Sequence, residues 1–469
     1  MQVGLPHAFQ ARMSSMLGPT EASDFFGQLD GPSPVSLHHH PTKGKMPPGQ
    51  DTVLWYDRGA YLPDRPSFTH DPAFQAGAYY VQEAGSMLIA WLVSQLDMPD
   101  RPWRILDLCA APGGKSTLLA AIMPAGSVLV SNEVIKSRAH ILRYNMAKWG
   151  LSGCWVTQLD PEALKPLAGF FDLVLVDAPC SGEGLFRKDV HARQEWSVEN
   201  ANLCAARQSR ILRSAVPLIK GGGHLIYSTC TFNPEENEGQ VRYLEEFGLM
   251  RVETQPPQSW GIDYRNGTHQ LYPHRIRAEG FFAAALAAPD MGLAEESAMR
   301  SKPIHVPSRK KNSKRKIAQT NLEFPHWTTL PKRNVEQVQF WLDQPDQFRF
   351  YQNKQGRIFG LTKGLVAVAQ ELARLLPRID LGFPIGQIKG HTLVPAPELA
   401  FHTALSKQVP SLEVDRQTAV DLMRKQTPEL IGLRSGFQLI TYQGLGLLWV
   451  KGIGNRYNNY WPTEWRIRT

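Results

Sequence analysis

The chain of 469 residues carries only five cysteines, Cys109, Cys154, Cys180, Cys204 and Cys230, and no two are spaced as C-x-x-C. An odd, scattered set argues against a disulfide framework and offers no zinc motif, so reduced thiols in a reducing compartment are expected. No stretch approaches the roughly eighteen consecutive apolar residues of a membrane helix. The start, Met1-Gln2-Val3-Gly4, lacks a basic segment leading into an apolar core. A cytoplasmic protein without membrane contact is therefore expected. No long internal repeat is found. Charge of one sign is only mildly in excess: 51 basic against 43 acidic residues give a net +8, which favours a polyanionic partner without requiring one. The triplet His38-His39-His40 has no cysteine or acid cluster nearby, so it reads as a polar loop or strand end, and no metal is expected.

At this length two or three domains are expected. Residues 1–95 are rich in turn signals, such as Gly31-Pro32-Ser33-Pro34 and Pro47-Pro48-Gly49, and end in an amphipathic helix expected over Val81 to Leu96. Residues 96–290 alternate short apolar runs with helical stretches. Strands are expected at Arg104 to Leu108, Ser127 to Ser131, Trp155 to Thr157, Phe171 to Val176 and His224 to Ser228, with helices at Gly114 to Ile122, Ile135 to Trp149 and Asn200 to Val216. This alternation predicts an α/β, doubly wound parallel sheet with helices on both faces. Segments near Arg251 and over Gly280 to Leu286 are placed at its edge. Residues 296–322 read as a basic linker, with seven Lys or Arg and no acid between Lys302 and Lys316. Residues 323–469 form a C-terminal α+β region, helical over Leu365 to Leu376 and β-rich with glycine punctuation towards 395–469.

In such sheets ligands bind beyond the carboxyl ends of the strands. The first strand runs into Cys109-Ala110-Ala111-Pro112-Gly113-Gly114-Lys115. Small residues there admit a ligand against the backbone, and the following helix start suits a carboxylate, with Lys115 adding a full charge. The turn matches neither G-x-G-x-x-G nor the P-loop, and nucleotide and phosphate binders use similar loops. Glu133 ends the second strand, where a carboxylate can hold ribose hydroxyls. Asp160 follows the third, where an acceptor can hold an adenine amino group.

The fourth strand runs into Asp177-Ala178-Pro179-Cys180-Ser181-Gly182-Glu183-Gly184 and the fifth into Ser228-Thr229-Cys230-Thr231. Two cysteines thus stand at strand tips above one pocket, where a purely structural reading, which suits Cys154 and Cys204, fits poorly. These runs, with Asp107 to Lys115, Tyr227 to Glu238, Leu185 to Asp189 and Glu279-Gly280-Phe281-Phe282, resemble the Sun-domain RNA cytosine carbon-5 methyltransferases over about residues 75–287. The N-terminal unit and C-terminal extension resemble the branch acting on bacterial small-subunit ribosomal RNA, in which the tail, here Tyr457 to Pro462, is similar to a PUA-type RNA-binding module.

The resemblance implies a Rossmann-like methyltransferase domain, S-adenosyl-L-methionine as cofactor and RNA, foremost 16S ribosomal RNA, as substrate. It implies Cys230 as nucleophile at carbon 6 of cytosine, Cys180 assisting breakdown of the adduct, and Asp177 against the base and cofactor. Residues Cys109 to Lys115, Glu133 and Asp160 would hold the cofactor, while Arg187 and Lys188 would bear on RNA. Covalent attack is needed because carbon 5 of cytosine is too electron-poor to take a methyl directly. The chain departs from the family in lacking an Arg-x-Asn element where it reads Val35 to Pro41. Transfer RNA, DNA and a non-catalytic RNA-binding role remain alternatives, and a monomer is expected. Asn233-Pro234-Glu235-Glu236 reads as a helix start aiming Cys230. Phe186, Trp196 and Phe232 are candidates either for stacking on a base or for the core.

Overall fold

The computed structural model describes residues 4–44, 46–47, 49–290 and 324–468. The basic run from Lys302 to Lys316 lies outside the described residues. Two helices, α1 (His7–Leu17) and α2 (Pro19–Leu29), form a contacting pair joined at Gly18, whose φ of +79° is open to glycine at little cost. Phe9 and Phe25 on their inner faces pack with Phe186, Trp196, Phe232 and Tyr272 in one buried aromatic cluster. Phe9 meets Phe186 edge-on at 5.0 Å, and Phe25 meets Phe232 at 5.0 Å. The aromatics near the reaction loops are thus core. They are not free stacking platforms.

Strands β1 (Val35–His39), β2 (Thr52–Val53), β3 (Tyr56–Leu62) and β4 (Tyr79–Val81) form a small sheet in the order β2-β3-β1-β4. Of the histidine triplet at the end of β1, His38 and His40 are buried and His39 is half-buried. His38 Nε2 meets the Thr117 hydroxyl at 3.1 Å, and His40 Nε2 meets the Trp149 carbonyl at 2.9 Å. Burial holds both rings neutral, with pKa values pushed down to about 3 and about 2. The helix expected over Val81 to Leu96 is confined to Leu88–Ser94. Before it, Glu83 accepts from the Gly85 and Ser86 amides at 2.7 and 2.9 Å, which favours a tight turn.

The central sheet contains β5 (Arg104–Asp107), β6 (Val128–Asn132), β7 (Cys154–Thr157), β8 (Phe171–Asp177), β9 (Ile219–Thr229), β10 (Met250–Arg251), β11 (Asp263–Arg265), β12 (Thr268–Leu271) and β13 (Phe281–Ala287). Its order is β11-β12-β13-β9-β8-β5-β6-β7, with β10 on β13. Strands β5 to β9 pair in parallel, as their continuous apolar runs require for strands buried on both faces. The chain winds outward from β5 to β7, then returns to β8 beside β5, so the crevice opens between β5 and β8. Trp149 and Trp155 are fully buried in this layer, each contributing on the order of 3 kcal/mol or more by removal from water.

Beyond residue 323, β14 (Trp327–Thr329), β15 (Phe348–Asn353), β16 (Arg357–Thr362), β18 (Phe383–Lys389) and β19 (Thr392–Pro395) form a five-stranded sheet. Strands β20 (Ser411–Glu413), β21 (Gly436–Tyr442), β22 (Leu445–Ile453) and β23 (Arg456–Asn459) form a four-stranded one. Between them β17 (Ile379–Asp380) leaves its own region and pairs antiparallel with β7, extending the central sheet. The helix Val366–Leu375 joins the same apolar cluster as Trp155, Leu164 and Val174. Among the described residues no helix is long and apolar enough to cross a membrane, and no group of histidine, cysteine or acidic side chains is placed to hold a metal.

Candidate active site

The loop after β5 is fixed from behind. Arg138 donates to the Ala111 carbonyl at 2.7 Å and Asn145 to that of Pro112 at 2.8 Å. Gly113 sits at φ +115°, where a Cβ would also meet Leu142 at 3.2 Å, so glycine is required for the entry into the helix Gly114–Ile122. Cys109 is partly exposed at its sulfur-bearing turn, and its thiol is pushed up by burial and the acids around it. Beneath the loop Asp107 is fully buried. It accepts from Ser116 at 2.7 Å, while its Oδ1 finds no partner, and burial pushes its pKa up to about 7.

Glu133 follows β6. Its Oε1 accepts the Ile135 amide at 2.8 Å and its Oε2 lies 3.5 Å from Arg138. Asp160 lies exposed beyond β7 and caps the turn Pro161–Leu167 through the Glu162 amide at 3.0 Å. Asn132 stitches these two loops together by donating to the Leu108 and Leu159 carbonyls at 3.1 and 3.0 Å. The sequence reading passed over Asn132 and Arg138, which adjoin residues it singled out, and took Asp107 only as the start of the run Asp107 to Lys115.

On the other side of the crevice, Asp177 pairs with Ser228 across the parallel strands β8 and β9. The two tips that follow carry Cys180 and Cys230, whose sulfurs lie 3.2 Å apart. This is hydrogen-bond range for thiols, without a disulfide. The bond to Cys230 and burial push the Cys180 thiol well up. Ser181 and Thr231 join the tips by their hydroxyls at 2.9 Å, and the Gly184 amide donates to the Cys230 carbonyl at 2.8 Å. Asp177 accepts from Ser228 at 2.8 Å and pairs with Lys115 at 2.8 Å. Lys115, read from sequence with the cofactor loop, therefore reaches the reaction side of the crevice, and interactions with Asp177 and Cys230 raise its pKa against burial.

The loops are clamped by two buried acids, Glu236, read from sequence only as part of a helix start, and Glu183, read only as part of the run after the fourth strand. Glu236 accepts from the Ser181 amide at 2.8 Å, Gln208 at 3.0 Å and Asn233 at 3.1 Å. Glu183 accepts from Arg12 at 2.6 Å, the Trp196 indole at 3.0 Å and the Phe232 amide at 3.1 Å. The expected helix start at Asn233 is a tight turn in which Asn233 caps the Glu235 amide. The helix proper is Glu238–Glu245. Arg187 donates to the Pro32 carbonyl in the N-terminal unit, and Lys188 lies 3.9 Å from buried Glu279. The structure thus brings Cys180, Cys230, Asp177 and Lys115 together and places Glu133 and Asp160 along the opposite strand tips.

Three sequence profiles match the chain. One described as 16S rRNA methyltransferase RsmB/F covers residues 94–287, one for the N-terminal domain of 16S rRNA methyltransferase RsmF covers 5–84, and one for the methyltransferase RsmF PUA domain covers 409–467. The ribosomal RNA small subunit methyltransferase F of Aeromonas salmonicida is 30% identical over 431 residues, 88% of this chain and 85% of that one. The protein of the same name from Erwinia tasmaniensis is 39% identical over 218 residues, so the chain spans 45% of that relative's length while 45% of its own is covered. Among solved structures, that of PH0851 is similar with a TM-score of 0.55 and 27% identity, over 60% of this chain and 66% of that one.

Proposed function

Since the chain belongs to the ribosomal RNA small subunit methyltransferase F family, we propose that it transfers a methyl group from S-adenosyl-L-methionine to carbon 5 of a cytosine in 16S ribosomal RNA, through a covalent bond between Cys230 and carbon 6. The observation that carries this reading is the pair of sulfurs 3.2 Å apart at adjacent strand tips. A buried structural cysteine needs no such neighbour at the carboxyl edge of a sheet.

The crevice residues fit the cofactor. The buried Asp107 has an oxygen without a partner beneath the loop of Cys109, Ala110, Ala111, Pro112, Gly113 and Gly114. Glu133 and Asp160 stand at the next two tips, where ribose and adenine polar groups are met in sheets of this topology. Bound there, S-adenosylmethionine supplies an electrophilic methyl group on a sulfonium. The protein's own part begins with Cys230: its thiolate adds to carbon 6, and the electron pair of the 5,6 double bond moves to carbon 5, which becomes the nucleophile. After transfer the proton on carbon 5 is removed, its electron pair restores the double bond, and Cys230 leaves as thiolate. Cys180, held as a thiol by burial and by its bond to Cys230, assists that breakdown. Asp177, oriented by Ser228 and Lys115, contacts the base near N3. Arg187 and Lys188 bear on the RNA side.

Carbon 6 is reachable only in an unstacked nucleotide, so the target is a loop or a flipped base. The same reading divides the chain into an N-terminal RNA-binding unit (1–95), a methyltransferase domain (96–290), a basic linker (296–322) and a C-terminal RNA-binding region (323–469). It places the protein in the cytoplasm as a monomer. Bisulfite sequencing of total RNA from cells with and without the gene tests the substrate, with loss of one or more small-subunit signals expected. Cys180→Ala should accumulate an RNA adduct that survives denaturation, whereas Cys230→Ala should form none. An unchanged bisulfite map, or adducts in both variants, would overturn the reading.

A further inference from the structure

A cleft of about 550 Å³ lies where the five-stranded sheet meets β17 and the end of the helix Val366–Leu375. Its walls include Trp327, His326, Arg374 and Arg378, and no acidic residue lines it. Neither guanidinium is paired with a carboxylate among the described residues. The acids nearest in sequence, Asp380 to Arg378 and Glu371 to Arg374, lie against other cations, Arg143 at 2.6 Å and Arg104 at 4.0 Å. Trp327 is half-buried and held flat: it stacks on Phe359 at 4.7 Å with planes 16° apart, and Phe324 packs beside it at 5.3 Å. A rigid indole beside two unpaired guanidinium groups has the chemistry of a single-stranded nucleic-acid subsite, a flat face for a base and cations for the flanking phosphates.

The placement of the cleft ties it to the reaction. The Arg378 carbonyl accepts the Thr157 hydroxyl at 2.5 Å, and Ile379 pairs with Thr157, the last residue of β7. Arg378 therefore stands at the carboxyl edge of the central sheet, the edge that carries Cys180 and Cys230. From β9 the strand order runs β8, β5, β6, β7 and β17. Five steps of about 4.8 Å put the cleft roughly 24 Å from the sulfur pair, a span that several nucleotides of one strand can bridge.

We propose that this cleft binds single-stranded RNA flanking the methylated nucleotide, with a base against Trp327 and phosphates on Arg374 and Arg378. The assignment rests on the RNA methyltransferase reading and adds a second anchor at a fixed distance from the target. It predicts that RNA length matters. A substrate trimmed to the target and its immediate neighbours cannot reach the cleft, while one extended on the side that crosses the sheet edge can.

The test uses the full chain with small-subunit RNA fragments of both kinds, followed by fluorescence anisotropy and by methyl transfer. Arg374→Gln with Arg378→Gln should weaken binding of the extended RNA and lower its salt slope by about 1.4, two single-strand phosphate contacts at about 0.7 each. Trp327→Ala should weaken it by about fivefold to a hundredfold, with Trp327→Phe retaining most affinity. In each case KM should rise with kcat little changed, and affinity for the trimmed RNA and for S-adenosylmethionine should stay as in the parent. The arginine pair is exposed, so its replacement leaves the fold intact even if the tryptophan variant unfolds. Unchanged affinity and salt slope for the extended RNA in the arginine variant, with the parent active on it, would overturn the cleft and leave the enzyme reading standing. A parent that methylates no RNA would instead sink that reading and the cleft with it.

Discussion

Glu183→Ala should cost both stability and activity, because its carboxylate is fully buried and ties three elements together: α1 through Arg12, the segment of Trp196, and the Phe232 amide two residues past Cys230. Truncation leaves three donors without an acceptor, one of them a guanidinium that is only a quarter exposed. Breaking a buried ion pair from one side typically costs about 3–5 kcal/mol. Arg12→Ala removes one of the three bonds and should cost less. A double-mutant cycle should return a coupling of about 1.5–3 kcal/mol, the range for a hydrogen bond to a charged group. Urea unfolding of the parent, both single variants and the double variant measures these quantities. Methyl transfer at a temperature where all four are folded should show Glu183→Ala impaired through kcat, since the Phe232 amide belongs to the turn that aims Cys230. If the Glu183 variant unfolds within about 1 kcal/mol of the parent and the coupling is near zero, the clamp is not what holds this turn.

Three further outcomes follow from single residues. Lys148 has its ammonium 4.0 Å from the Phe74 ring and 4.7 Å from Tyr144, and burial pushes its pKa down from 10.5 to about 7. The unfolded chain holds that proton up to about pH 10 while the folded chain releases it near 7, so this group makes stability climb with pH across that window and leaves it flat below pH 7, where both states are protonated. The ceiling is about 5 kcal/mol, and Lys148→Met should flatten the climb in denaturant midpoints taken across the window. Gly184→Ala puts a Cβ 2.5 Å from the Gly280 carbonyl and 2.8 Å from that of Cys230, both backbone, so the loop must move. A loss of about a hundredfold in kcat/KM is expected from methylation kinetics, with cofactor affinity by calorimetry retained. Leu372→Ala opens a cavity at a fully buried position in the cluster shared by the helix Val366–Leu375 and the central sheet. It should lower unfolding free energy by about 2–5 kcal/mol, and a change under 1 kcal/mol would show that the two regions are only loosely packed.

Much of the central sheet can be read from sequence because strands buried on both faces appear as unbroken apolar runs. Leu173 to Val176 and Leu129-Val130 are such runs, and the helix Gly114–Ile122 begins where glycines announce it. The cysteine pair is legible as two strand tips, but its 3.2 Å separation depends on the register of β8 against β9, which no local pattern encodes. The helices α1 and α2 were hidden because each buries few residues, Phe9 and Met13 in one and Ala22, Phe25 and Leu29 in the other, too few to show a clear period. The helix expected from Val81 shrank because the Glu83 side chain binds its own downstream amides. Glu183 stood in the run after the fourth strand and Glu236 in an expected helix start, and only the folded chain brings Arg12 and Gln208 to them. Strand β17 is two residues long, too short to show any period, and its partner lies far back in the chain.

That distant partner has a consequence during synthesis. Until Ile379 and Asp380 leave the ribosome, the outer side of β7 has open amides and carbonyls, and more than two hundred residues separate Thr157 from the strand that covers it. At about 5–20 residues per second, the newborn sheet waits on the order of 10–45 s with a sticky rim. Growth conditions that slow translation beyond residue 157 should therefore favour inclusion bodies of this protein, even though the finished chain has that rim sealed.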